Sequence, residues 1–309
     1  MTVLVLTCKQ DVTADMVVTE LHERGVPLVR LDPADLPGEV ALSAEYVRGD
    51  FHGHLSTSGR LVSMCGLRSI WVRRPGTPGA DVTEQTAWVT AECEQALYGV
   101  LRCTDARWMN HPDAAARARY KPWQLQAAHR SGFAVPATVI TTFPKVARQF
   151  AENHQDLIVK PISGTHPTDP PMALPTTRIP PDVDFTEVAA GPTLLQQHIP
   201  KLADIRLTCV GEQMFAARKA SDPGQVDGRF AENDHTWEAA EMPARIAQAV
   251  RAYMRAARLA YGAFDFAEDN EGTWWFLECN QGGQFGFIQL ATGQPIAEAV
   301  ATWLALDET

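Results

Sequence analysis

The sequence predicts an α/β protein in which a parallel-sheet domain precedes further units of helices and antiparallel strands. Three observations carry that expectation. Strand, amphipathic helix and strand follow one another within the first 31 residues, the order of a right-handed β-α-β unit. The last third of the chain instead pairs strand-like runs across short Gly-containing turns, as antiparallel hairpins do. And 309 residues with 45% hydrophobic content exceed one simple core and call for two or three domains.

Val3 to Thr7 reads as a buried strand and Val12 to Arg24 as a helix, with Gly25 placed to end it. Val26 to Leu31 completes the unit. Its first loop lacks G-x-G-x-x-G, so no dinucleotide is expected there. Residues 40–64 alternate around Gly49-Asp50 and Ser58-Gly59 as a meander, and Ile70 to Val72 is a further strand. Thr83 to Leu101 is a helix expected to turn Trp88, Ala91, Leu97 and Leu101 to a core, and Trp88, Trp108 and Trp123 read as core residues. The Asn110-His111-Pro112 turn closes a domain assigned to residues 1–115.

A central region, 116–197, opens with a helix from Lys121 to Ser131 and continues with a strand at 137–140, a helix at 145–152 and a strand from Leu157 that ends on Lys160. Residues 163–182 are rich in Pro and Gly, which excludes a helix or a central strand, and a mobile loop is expected there. In the last region, 198–309, Asp204 to Val210 and Gln213 to Lys219 pair across Gly211-Glu212. Pro243 stands at the first position of a helix with Ile246, Val250, Met254 and Ala257 inward. Residues 262–267 and 273–280 form a second hairpin, and a helix spans about 295–304.

The charge balance, 27 Lys+Arg against 37 Asp+Glu for a net −10, argues against non-specific nucleic-acid binding. No apolar run approaches the roughly 20 residues that span a bilayer. The apolar start lacks a basic n-region and a cleavage site, so a cytoplasmic location is expected. The six cysteines form no C-x-x-C pair and read as reduced, packed thiols. His52-Gly53-His54 reads as part of a hairpin, not as a metal site.

Asp265, Glu278 and Asn280 carry the chemistry. Side chains alternate along a strand, so Glu278 and Asn280 share a face, and across the hairpin Asp265 converges with them. Two carboxylates and an amide oxygen, completed by phosphate oxygens, suit one or two Mg²⁺ ions. Solvent-facing acids on a sheet are the competing reading, against which stand the apolar neighbours Phe264, Phe266 and Leu277.

The order of these features resembles the ATP-grasp superfamily from about Arg119 onward: Lys121 at a helix start, Lys160 at a strand end before a Gly/Pro loop, a strand and hinge at Gln196-Gln197-His198-Ile199, the Asp204-Ile205-Arg206 pattern, and the Asp265, Glu278, Asn280 hairpin. Tyr120 to Gln126, Gln197 to Gln213 and the last hairpin look like the microviridin-type graspetide ligases, ATP-grasp macrocyclases of ribosomal peptides. The Met1 to Thr7 and Trp71-Val72-Arg73-Arg74 strands are similar to their N-terminal pre-ATP-grasp domain.

The resemblance implies roles. Lys121 and Lys160 would hold the α- and β-phosphates of ATP, and Gln196, Gln197 and the His198-Ile199 backbone would meet adenine. Asp204 would contact ribose or, with Arg206, organise the substrate. Arg218 or Lys219 would reach the γ-phosphate or the reacting carboxylate, and Asp265, Glu278 and Asn280 would bind Mg²⁺. Residues 163–182 would close over the nucleotide. The implied partner is a ribosomally made precursor peptide, and a homodimer or higher homo-oligomer is expected. Three departures stand out: Ser163-Gly164-Thr165-His166 replaces a glycine run, Gln281 stands where many relatives have proline, and Gln284 and Gln289 stand where some have acids. An intermolecular amide-forming ligase and a nucleotide-binding regulatory module without turnover are the competing readings.

Overall fold

The structure, a computed structural model, describes residues 1–57, 59–79, 87–154, 156–163, 165–166, 172–230 and 235–306. The N-terminal region runs β1 (Thr2–Thr7), α1 (Val12–Glu23), β2 (Leu28–Leu31), the meander β3 (Val40–Val47), β4 (Asp50–Thr57) and β5 (Arg60–Ser63), then β6 (Leu67–Arg74), α2 (Ala87–Arg102), β7 (Arg107–Met109) and α3 (Pro112–Ala118). β2, β1, β6 and β7 lie in that order as a parallel sheet, the outcome a β-α-β start dictates. Gly25 takes the left-handed conformation, φ 66°, that ends α1. Asp11 caps the other end, its Oδ1 accepting from Ala14 N.

The buried stripe of α2 begins only toward its C-terminal half. Leu97 and Leu101 are fully buried, but Trp88 is 69% exposed and Ala91 is exposed too. The first turns therefore project past the core, against the expectation for those two residues. Residues 83–86 of the expected helix lie outside the described residues.

The middle comprises α4 (Lys121–Ser131), β8 (Thr138–Thr141), α5 (Pro144–Asn153), β9 (Leu157–Lys160), the short strands β10 (Thr165–His166), β11 (Met172–Ala173) and β12 (Thr177–Arg178), and β13 (Thr193–Gln197). Its antiparallel sheet runs β12-β9-β13-β8. The proline-rich segment thus enters the sheet only at its edge, where missing N–H groups are tolerated. Residues 164 and 167–171 of the expected loop lie outside the described residues.

The C-terminal part holds β14 (Ala203–Val210), β15 (Gln213–Ala220), β16 (Glu238–Ala239), α6 (Ala244–Ala257), β17 (Tyr261–Glu268), β18 (Trp274–Asn280), α7 (Gly286–Thr292) and α8 (Ile296–Ala305). The strands form one antiparallel sheet ordered β16-β15-β14-β17-β18. Pro243 precedes α6 as its N-cap and not as its first helical residue. α7 has no counterpart in the sequence reading.

One face of this sheet is covered. Phe264, Phe266 and Phe276 pack with Tyr253 of α6 and Phe133 after α4, Phe133 stacking on Phe276 at 5.6 Å. Ile246, Val250, Met254 and Ala257 point into this layer as expected. The N-terminal region docks mainly through α8, whose Val300 and Leu304 share a core with Val5, Val17 and Leu21. Ser69 Oγ donates to Leu304 O at 2.8 Å, and Arg107 donates to Trp303 O at 2.7 Å. On the opposite face, Val210, Ala217, Tyr261 and Ala263 pack against α7 and α8, and the rest is left to a cleft.

Candidate active site

Strand alternation sorts the candidates. Ile205, Leu207 and Cys209 of β14 are buried in the aromatic core, so Asp204 and Arg206 must point to the other face. β15 pairs with β14 so that Lys219 lies opposite Asp204 and Arg218 opposite Ile205. Lys219 therefore enters the cleft. Arg218 is turned to the opposite face, where its Nε donates to Glu268 at 2.6 Å. β17 sets Asp265 opposite both Arg206 and Glu278, with Asn280 opposite Ala263 on the same face. A register shift after Asp265 restores Phe266 and Phe276 to the core.

These side chains line a cleft of about 650 Å³ between the middle and C-terminal sheets. Lys121, Lys160, Lys201, Arg206, Lys219 and Arg229 meet Asp204, Asp227, Asp265 and Glu278 there. Six cations against four carboxylates make a positive pocket inside a protein of net charge −10. That suits an anionic nucleotide and a carboxylate brought together.

Arg206 Nη1 lies 2.7 Å from both oxygens of Asp265, and its Nη2 donates to Gln284 O at 3.1 Å. Lys121 Nζ donates to Glu278 Oε2 at 2.7 Å. One helical turn on, Gln124 brackets Cys279: its Nε2 donates to Cys279 O and its Oε1 accepts from Cys279 N, each at 3.0 Å. The start of α4 is thereby fixed to the residue between Glu278 and Asn280. Burial, with the charge of Lys121 beside it, lowers the Lys160 ammonium to about 8.

Asp204 Oδ1 accepts from Lys201 at 2.6 Å, while Oδ2 is buried without a hydrogen-bond partner among the described residues. A Cβ on Gly228 would come within 2.3 Å of that oxygen, so glycine preserves the space around it. Lys219 donates to Gly228 O at 3.1 Å and lies 5.4 Å above the Trp237 ring. Trp237 and Phe287 form an aromatic rim, their centroids 6.0 Å apart.

The adenine candidates are set apart from this cluster. Gln196 is buried, its Nε2 donating to Thr138 Oγ1 at 2.7 Å, and its Oε1 has no partner among the described residues. His198 faces Asp156, Nδ1 to Oδ2 at 2.8 Å. Gln197 and Ile199 lie beside them on β13 and its exit. Asp227 and Arg229, on the polar loop beside the site, hold residues 174 and 176 of the proline-rich segment: Asp227 Oδ2 accepts from Thr176 N at 2.9 Å and Arg229 donates to Leu174 O at 3.3 Å. Gln289 lies away from the cleft contacts, its Oε1 accepting from Ala297 N at 2.7 Å at the start of α8. Lys201, Trp237, Phe287 and Gln124 escaped the sequence reading. Only Gln124, one helical turn after Lys121, carried a spacing that reveals it.

Oxygen donors at Asp265, Glu278 and Asn280, with a free buried oxygen on Asp204, fit a hard cation and a polyhydroxylated nucleotide. No cluster of three or more His, Cys, Asp or Glu side chains that could hold a metal occurs among the described residues. The described residues contain no helix long and apolar enough to cross a membrane.

Residues 2–116 match the family model of the MvdD pre-ATP-grasp domain. No curated protein matches the chain in sequence. Among solved structures, the macrocyclase MdnC of Microcystis aeruginosa MRC, bound with precursor peptide MdnA, aligns with a TM-score of 0.87 at 25% identity over 98% of this chain and 99% of that one. The macrocyclase MdnB of the same organism gives 0.82 at 27% identity, covering 99% of each chain. A RiPP-associated ATP-grasp ligase of Chryseobacterium gregarium, in complex with ADP and a leader and core peptide, has the same fold, with a TM-score of 0.87 at 24% identity over 98% of this chain and 96% of that one. The resemblance read from Lys121, Lys160, the Asp204-x-Arg206 strand and the last hairpin is borne out: the chain has the ATP-grasp fold, its residues 2–116 match the MvdD pre-ATP-grasp domain, and it is an ATP-dependent ligase.

Proposed function

We propose that the chain closes rings in a ribosomally made precursor peptide, joining an Asp or Glu side chain to a Ser/Thr hydroxyl or a Lys amine at the expense of ATP. The observation that carries this reading is the positive cleft that gathers Lys121 and Lys160 over Asp265 and Glu278, in a fold shared end to end with a macrocyclase bound to its precursor.

The chemistry is carboxylate activation. A peptide carboxylate oxygen attacks the γ-phosphorus of ATP, the bond to the β-γ bridging oxygen breaks, and ADP leaves. The hydroxyl or amine then attacks the acyl phosphate carbon, expelling phosphate and giving up its proton to it or to water. Lys121 and Lys160 hold the nucleotide phosphates. Arg206, fixed by Asp265 and Gln284 O, presents its remaining guanidinium edge to the negative charge that develops on the acyl oxygen. Lys219 screens the approach of carboxylate to phosphate. When bound at Asp265, Glu278 and Asn280, Mg²⁺ supplies charge neutralisation at the phosphoryl oxygens. Positioning and electrostatics supply the rate, with no enzyme nucleophile.

Incubation of the enzyme with ATP, Mg²⁺ and its precursor is expected to release ADP and remove one water per link from the peptide mass. An unchanged peptide mass with the matching precursor would falsify the proposal. A mass gain would assign the fold to intermolecular ligation.

A further inference from the structure

Asn280 ends β18, and Gln281 to Gln284 turn back beneath the N-terminal domain. Each of the four carbonyls that follow is held by a different side chain. Asn110 Nδ2 donates to Gln281 O at 3.0 Å, Arg73 Nη1 to Gly282 O, Tyr261 Oη to Gly283 O at 2.7 Å and Arg206 Nη2 to Gln284 O at 3.1 Å. Gly282 N returns to Asn280 Oδ1 at 3.0 Å, leaving that oxygen a second lone pair. Such saturation is uncommon for an irregular turn, whose carbonyls ordinarily face water.

Two of the four donors belong to the first domain, Arg73 on β6 and Asn110 after β7. Asn110 spends its whole side chain on this junction: Oδ1 accepts from Ala260 N and Tyr261 N at 2.7 and 2.9 Å, and Nδ2 also donates to Tyr261 O at 2.8 Å. It ties the start of β17, the strand of Asp265, to the turn after β18, the strand of Glu278 and Asn280.

Arg73 is the more telling residue. Its side chain is 2% exposed, its nearest acid is Asp11 at 3.8 Å, and Nε and Nη2 make no hydrogen bond among the described residues. A guanidinium buried with so few partners costs stability instead of adding it. What it supplies is a fixed hold on Gly282 O, two residues from Asn280.

We propose that Arg73 and Asn110 are positioning residues through which the pre-ATP-grasp domain fixes the Asn280 side-chain oxygen, and so sets how strongly the site grips the divalent cation of the nucleotide. This rests on the reading of Asn280 as a cation ligand.

The test compares ADP affinity by calorimetry with Mg²⁺ and with Mg²⁺ chelated. Arg73→Met alone would strand the buried Asp11 carboxylate, so it is combined with Asp11→Asn, which keeps an N-cap for α1. Arg73→Lys, which keeps the charge and one donor, is the second variant. The double variant is expected to bind ADP without Mg²⁺ as the parent does, while the gain on adding Mg²⁺ falls about tenfold, as when a residue supporting a metal ligand is lost. Arg73→Lys is expected to recover part of that gain. If the double variant keeps the parent's full Mg²⁺-dependent gain, whatever happens to its melting temperature, Arg73 is only a strut and the proposal fails. A parent whose ADP affinity does not respond to Mg²⁺ would overturn the cation reading of Asn280 itself.

Discussion

Asp265 and Glu278 stand directly opposite each other in adjacent strands, and each is neutralised by a cation from a different element. Arg206 of β14 holds Asp265 at 2.7 Å, and Lys121 of α4 holds Glu278 at 2.7 Å. Burial pushes the Asp265 carboxyl up, opposed by Arg206 and reinforced by the charge of Glu278. Burial also works against the Glu278 carboxylate, but the charge and hydrogen bond of Lys121, with the charges of Lys160 and Arg206, outweigh it and hold that group below its usual range. Cations that also face the cleft thus oppose the burial of both acids, and at Glu278 they outweigh it.

Glu278→Gln is isosteric and leaves Lys121 a neutral oxygen to bond, so the fold should survive. Turnover should not. ADP release is expected to fall at least about a hundredfold, the scale of losing one element of a preorganised charge array, with a melting temperature within a few degrees of the parent. Parallel measurement of ADP release and thermal unfolding checks this. Parent-like turnover would remove Glu278 from the cation site.

Lys219 and Arg218 are neighbours in sequence with opposite fates. Lys219→Met removes a cation from the cleft, where it sits between Gly228 O and the Trp237 ring, and is expected to lower kcat/KM about tenfold or more. Arg218→Met removes a half-exposed partner of Glu268 on the far face and is expected to change kcat/KM less than about twofold, since exposed pairs contribute little. Equal losses in the two variants would contradict the strand register.

The two cases show what a single sequence can reveal of this site. Alternation along β18 was enough to put Glu278 and Asn280 on one face, and a hairpin brought Asp265 to them, because both facts are local. Arg218 and Lys219 could not be separated, because their faces depend on the pairing of β15 with β14 across the Gly211 turn. Arg73 and Asn110 were invisible as partners of the 281–282 carbonyls, which lie 209 and 171 positions away. α7 was missed because the sequence offers no side-chain cap at its start, and Trp88 because hydrophobicity does not say where a helix leaves the core. Gln289, counted among the departures from the family pattern, caps the backbone of α8.

Gly283, in the turn after β18, is tightly enclosed. A Cβ there would lie 2.5 Å from Ala263 Cβ, 2.9 Å from Arg206 Nη2 and 3.3 Å from Asn280 Cβ. The first contact is with a residue in the sheet and cannot be relieved by rotating a side chain. Gly283→Ala should therefore move the turn, displacing Arg206 or Asn280, and cost about 1–3 kcal/mol of stability by overpacking. Activity is expected to fall more than stability, because two site residues share the displaced contact. Denaturant unfolding alongside a progress curve of ADP release separates the effects, and a parent-like rate in a destabilised variant would show that the turn's position is unimportant.

Lys160 sets the pH range. Burial first, and then the neighbouring charge of Lys121, lower its ammonium from an ordinary 10.5 to about 8. Below about 8 the side chain is charged in the nucleotide-free protein. Above it the neutral amine predominates, although an unperturbed lysine would still be protonated. A bound polyphosphate favours the charged form, so binding must take up a proton once the pH exceeds that value. ATP affinity is expected to be flat with respect to Lys160 below pH 8 and to decline above it, approaching tenfold per pH unit until the bound-state pKa is reached. In Lys160→Met the affinity is weaker and this slope disappears. Calorimetry above pH 8 in buffers of different ionisation enthalpy reads the proton uptake directly, and an uptake that persists undiminished in Lys160→Met would assign the titration to another group.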